Sequence, residues 1–105
     1  MKCRVFISEA GIRDIEKMSS EIFSISQDKN ITEAYISQLL EKIYKIADFP
    51  ESGTPLYFNG YPTDYRYVIY KNYLAFYHIS ENELIVDRIV YGKSNYCKIL
   101  FESKN

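Results

Sequence analysis

The hydrophobic pattern along the chain changes period twice. Val5, Phe6 and Ile7 are β-branched or aromatic, and the run from Lys2 to Ser8 has the length and composition of a strand. Ser8 followed by Glu9-Ala10-Gly11 predicts a helix N-cap, with an acid in the first turn where the helix dipole favours it. Ile15, Met18, Ile22 and Ile25 then recur at steps of three and four, which predicts one apolar stripe along a helix of about four to five turns. Gln27-Asp28-Lys29-Asn30 interrupts it. Asn30 with Glu33 resembles a capping box, and Ile36, Leu39, Leu40, Ile43 and Ala47 form the stripe of a second helix, with Glu41, Lys42 and Lys45 on the outside. The short connection makes the two helices an antiparallel hairpin.

Phe49-Pro50-Glu51-Ser52-Gly53-Thr54-Pro55 cannot continue that helix, because Pro50 disfavours helical geometry at Phe49 and Gly53 permits positive φ. The expectation is a loop running to about Thr63. Beyond it the period drops to two: Tyr65, Tyr67 and Ile69 share one face, and Arg66, Val68 and Tyr70 the other. Lys71-Asn72 separates this strand from a second, Tyr73 to Ile79, as a tight hairpin. Ser80 to Glu83 makes another turn before a third strand, Leu84 to Tyr91. The N-terminal strand needs cover for its apolar residues and is expected to join this meander. The predicted fold is α+β, of order β-α-α-β-β-β, with the helical hairpin packed on one face.

A chain of 105 residues makes one domain, here 1–105. With 47% hydrophobic and 26% charged residues, disorder is excluded. The apolar run at the N-terminus is too short for a signal peptide and nothing has membrane-spanning length, so a cytoplasmic protein is expected. Cys3 and Cys97, at opposite ends, read as buried free thiols rather than a disulfide. His78 is the only histidine, so neither a metal site nor any other cofactor is expected. The formal net charge of −1 argues against indiscriminate attraction to nucleic acid. It conceals an acidic stretch over residues 9–51 and a basic one from Arg88 to Phe101, whose charges are Arg88, Lys93 and Lys98.

Several segments carry a resemblance in the same order. Ser8-Glu9-Ala10 with Asp14-Ile15, Phe49 to Leu56, Tyr65-Arg66, Tyr70-Lys71-Asn72-Tyr73, Phe76-Tyr77, Asp87 to Gly92, and Tyr96 with Ile99-Leu100-Phe101 are together similar to the RelE/ParE superfamily. Its members are toxins of type II toxin–antitoxin modules, also called addiction or plasmid stabilisation modules. The resemblance implies a cognate antitoxin, an acidic and partly disordered segment that folds on the toxin. It also implies one of two targets: messenger RNA cut on the ribosome, an mRNA interferase activity, or DNA gyrase poisoned by binding. A degenerate, inactive homologue is the third reading.

Metal-independent RNA cleavage needs a proton acceptor, a donor to the leaving oxygen and positive charge around the phosphate. The resemblance places Arg66 at a strand arginine that meets the scissile phosphate, and Tyr96 at a C-terminal tyrosine that stacks on a base or touches the reacting ribose. Lys93 completes the expected catalytic set, with Arg88 and Lys98 as phosphate or RNA contacts. Where relatives often carry two consecutive basic residues, this chain reads Lys93-Ser94, which weakens phosphate stabilisation. Plain packing accounts for the same residues otherwise: Arg66 paired with Asp64 or Asp87, and Tyr96 laid on the sheet beside Leu100 and Phe101. Glu51 is the candidate general base if burial raises its pKa. His78, between Tyr77 and Ile79, is read as a hydrogen-bonded packing residue.

Overall fold

A computed structural model describes residues 2–101. Strand β1 (Arg4–Ile7) leads into helices α1 (Glu9–Ser26) and α2 (Lys29–Asp48), then a single 3-10 turn (Pro50–Ser52). Strands β2 (Thr54–Phe58), β3 (Tyr61–Tyr70), β4 (Tyr73–Ser80) and β5 (Glu83–Tyr91) follow, and a short helix α3 (Tyr96–Phe101) closes the described chain. All five strands form one sheet in the order β1-β5-β4-β3-β2. β1 joins it parallel to β5, and every other pair is antiparallel. The fold is α+β with the helical hairpin on one face.

Local chemistry sets the boundaries. The Ser8 hydroxyl accepts the Gly11 N–H at 3.0 Å and donates to the Asp87 carbonyl at 3.0 Å, so one side chain both starts α1 and fastens it to β5. α2 is capped by Asp28, whose carboxylate accepts from the N–H groups of Asn30 and Ile31 at 2.8 and 3.2 Å. The expected Asn30–Glu33 capping box is therefore not the cap. Asp28 sits in extended backbone one residue before the helix, and its charge complements the helix N-terminus.

The segment expected to be a loop up to Thr63 holds a fifth strand. β2 pairs with β3 through Thr54 with Tyr67 and Pro55 with Arg66, then shifts register around Leu56 before Tyr57 meets Pro62. That irregularity erases the period-two signal, and Pro55 is tolerated because β2 is a sheet edge. Asn59 and Gly60, at φ 54° and 83°, close the β2–β3 hairpin with the left-handed pair that a two-residue turn favours.

Both faces of the sheet are covered, though unequally. On one side Met18 and Ile22 of α1 and Leu39, Ile43 and Ala47 of α2 pack on Val68, Ala75, Tyr77, Leu84, Val86 and Ile89. A fully buried side chain of this kind stabilises by about 1.5–3 kcal/mol. Ile25, expected to continue the α1 stripe, is instead 85% exposed. On the outer side Leu56, Phe76 and Val90 are covered by Tyr96, Ile99, Leu100 and Phe101. The basic tail is thus a helix laid across the sheet, and that face is partly closed. Cys3 is buried, Cys97 is half-buried, and both are free.

Candidate functional site

The turn after α2 is held from below by the sheet. The Tyr77 hydroxyl donates to the Pro50 carbonyl at 2.6 Å and accepts the Gly53 N–H at 3.1 Å. Burial pushes the Tyr77 phenol pKa up, which keeps it a donor. Glycine is required at position 53 because a Cβ there would overlap the Tyr77 hydroxyl. Arg66, opposite Tyr77 in the β3–β4 register, clamps the same turn: its Nη1 donates to the carbonyls of Glu51 and Gly53 at 3.0 and 2.9 Å. Neither Asp64 nor Asp87 pairs with it. The guanidinium therefore lies on the helix-covered side of the sheet. Glu51 itself is exposed.

Arg88 is held elsewhere. Phe76 pairs with Arg88 and Tyr77 with Val86, so Asp87 is an extra residue that bulges β5. From the bulge Arg88 reaches over the edge of β5 to Asp14 of α1 in a two-pronged pair, Nε to Oδ2 at 2.7 Å and Nη2 to Oδ1 at 3.0 Å. The hydrogen bond to Asp14 raises the guanidinium pKa further. Asp14 Oδ2 also accepts the Ile89 N–H at 2.8 Å, at a point that β1 does not reach. Arg88, expected as a phosphate or RNA contact, is thus ion-paired within the fold, with two of its nitrogens on one carboxylate.

Asp87 turns to His78, with Nδ1 and Oδ2 2.7 Å apart. Burial raises the Asp87 pKa, and the imidazole pulls it back. The Tyr65 ring meets His78 edge-on at 6.2 Å, and its phenol pKa is raised by burial and then by the charges of Asp87 and Asp64. Two carboxylates in this corner make it unwelcoming to phosphate.

Tyr96, the first residue of α3, packs on Phe76 with ring centroids 5.2 Å apart, on the outer side of the sheet. Lys93 and Lys98 are exposed, and neither has an ion-pair partner among the described residues. The structure therefore does not gather Arg66, Arg88, Lys93 and Tyr96 on one open surface. Arg66 and Tyr96 lie on opposite faces. Among the described residues no group of three His, Cys, Asp or Glu side chains converges as a metal site, and no helix is long and apolar enough to cross a membrane.

Sequence reading missed Asp14, Tyr77 and the His78–Asp87 pair. Their partners lie 74, 27 and 9 residues away, beyond any local pattern. The Asn59-Gly60 dipeptide was the one available signal for the missed hairpin.

This fold, a paired-helix layer over a five-stranded sheet, is similar to that of chains from two toxin–antitoxin systems. The structure is similar to a chain of the chromosomal ParDE toxin–antitoxin system of P. aeruginosa, with a TM-score of 0.70 and 9% identity over 85% of this chain and 95% of that one. It is also similar to a chain of the RelBE2 toxin–antitoxin complex of Mycobacterium tuberculosis, with a TM-score of 0.62 and 15% identity over 87% of this chain and 99% of that one. No curated protein matches the sequence. The family described as the ParE toxin of type II toxin–antitoxin systems, parDE, matches residues 5–96, and the chain belongs to that family.

Proposed function

We propose that this toxin arrests growth by binding a protein target, DNA gyrase, rather than by cutting messenger RNA, and that a cognate antitoxin holds it inactive. The observation that carries this reading is the engagement of both candidate arginines in the scaffold. Arg66 holds the turn around Glu51 and Gly53, and Arg88 is paired with Asp14. Metal-independent phosphoryl chemistry needs such cations facing the reacting oxygens. Of the cations in the proposed set, only Lys93 and Lys98 are exposed without an ion pair among the described residues, and the net charge of −1 gives no general attraction to the ribosome. A protein grip needs no acid–base set. The antitoxin part rests on the family match and on both structural neighbours coming from toxin–antitoxin systems.

Two assays of the purified chain separate the readings. Gyrase supercoiling of a relaxed plasmid is expected to be inhibited, and messages in a translating extract are expected to stay intact. Cleaved messages with unimpaired supercoiling would transfer the activity to Arg66, Lys93 and Tyr96 as catalytic groups, with Arg88 and Lys98 binding RNA and Glu51 as base.

A further inference from the structure

β1 stops at Ile7, opposite Val86, while β5 continues to Tyr91. Asp87 to Tyr91 therefore form a sheet edge. In the antiparallel ladder with β4, the N–H and C=O of alternate residues turn away from the partner strand. Ile89 is one such residue, since its N–H reaches Asp14, and Tyr91, two residues on, is the next. The Tyr91 carbonyl accepts from the Ser94 N–H at 2.9 Å. That leaves the Ile89 carbonyl and the Tyr91 N–H facing outward with no partner among the described residues. They open onto a cavity of about 520 Å³, walled by Lys17, Glu21 and Ile25 of α1 on one side and by Ser94 and Ile99 on the other.

We propose that this groove receives an extended segment of the cognate antitoxin as a strand parallel to β5, continuing the line of β1; the identity of the occupant rests on the antitoxin reading above. The direction follows from which backbone groups remain. A parallel neighbour bonds through one residue to the residues before and after its partner. β1 displays that pattern: Arg4 lies opposite Glu83, and its N–H reaches the Asn82 carbonyl at 2.9 Å. A residue opposite Val90 would likewise donate to the Ile89 carbonyl and accept from the Tyr91 N–H. An antiparallel strand needs both the N–H and the C=O of a single β5 residue, and at Ile89 and at Tyr91 one of the two is already bonded.

The groove also selects composition. The residue opposite Val90 shares its outer side, where Val90 belongs to the apolar cluster that Ile99 covers, so an apolar side chain fits. The residues flanking it point toward α1, where Ile25 is 85% exposed between the charges of Lys17 and Glu21. The β2 edge of a second copy is a poor occupant, because it carries Pro55 and an irregular register.

The test uses the full chain co-expressed with the protein encoded by the adjoining open reading frame, followed by amide hydrogen exchange. The Tyr91 amide is expected to exchange at least about tenfold more slowly in the complex, while the Ile89 amide, already bonded to Asp14, changes little. Tyr91→Pro removes the donor and is expected to weaken the complex about fivefold to tenfold. Ile25→Lys, at a solvent-exposed position that leaves the strand untouched, is expected to weaken it as well. A complex in which Tyr91 exchanges at its free rate, or whose cross-strand NOEs are antiparallel, overturns the proposal and leaves the antitoxin reading standing. Absence of any complex overturns both.

Discussion

Replacing Arg66 separates a scaffold arginine from a catalytic one, because the two roles predict opposite pairs of results. Arg66→Ala removes two charge-assisted hydrogen bonds to the carbonyls of Glu51 and Gly53, at 3.0 and 2.9 Å. Bonds to a charged donor contribute about 1.5–3 kcal/mol each when well shielded. Arg66 is half-buried and one of the two bonds lies at the surface, so the pair is worth about 1–3 kcal/mol in total. With a urea slope of about 2 kcal/mol/M for a domain of this size, the midpoint should fall by about 0.5–1.5 M. Arg66→Lys should recover part of the loss, since one ammonium can reach a carbonyl but lacks the planar fork. Growth arrest by folded Arg66→Ala should persist under the proposed function, because the side chain is engaged in holding the turn. An unchanged urea midpoint together with abolished toxicity would refute the scaffold role and restore the nuclease reading.

Tyr77→Phe should be costlier than its single lost oxygen suggests, because it strands the Gly53 N–H and the Pro50 carbonyl where water does not replace the hydroxyl; a loss of about 2–4 kcal/mol is expected in urea unfolding, against less than about 0.5 kcal/mol for Tyr70→Phe, whose hydroxyl meets exposed Gln38. Asp14→Ala leaves Arg88 without its partner and the Ile89 N–H without an acceptor, and should cost about 2–4 kcal/mol by the same measurement. Tyr73 is pushed up from 10.0 to about 12, first by burial and then by its bond to Glu21. An acid with a raised folded pKa loses nothing below the unfolded value. As pH rises from 10 toward 12, the unfolded phenol ionises first, and stability falls by about 2.5 kcal/mol. Comparing urea midpoints at pH 9 and pH 11.5 should show most of that fall in the wild type and a smaller one in Tyr73→Phe.

The open edge of β5 comes from where the neighbouring elements end. Helix α1 crosses the end of β5 where β1 has run out, and Asp14 takes the place of the missing strand at Ile89. One carboxylate cannot satisfy an entire edge. The unfinished remainder is where a partner strand can be added, and Asp14 restricts the direction from which it can come.

The sequence alone determined what depends on short-range periodicity. The 3.6-residue stripes of α1 and α2, the alternation in β3 to β5, and the Ser8 cap all arise between residues a few positions apart, so they are readable without a fold. β2 escaped because its register irregularity at Leu56 breaks the alternation that would announce it. The candidate residues lie apart for a different reason. Residue type made Arg66 and Arg88 look like phosphate ligands, but the direction of a side chain depends on what lies across the sheet and over its edge. Only tertiary structure brought the carbonyls of the Glu51 turn to Arg66 and the Asp14 carboxylate to Arg88, and each cation is bonded there.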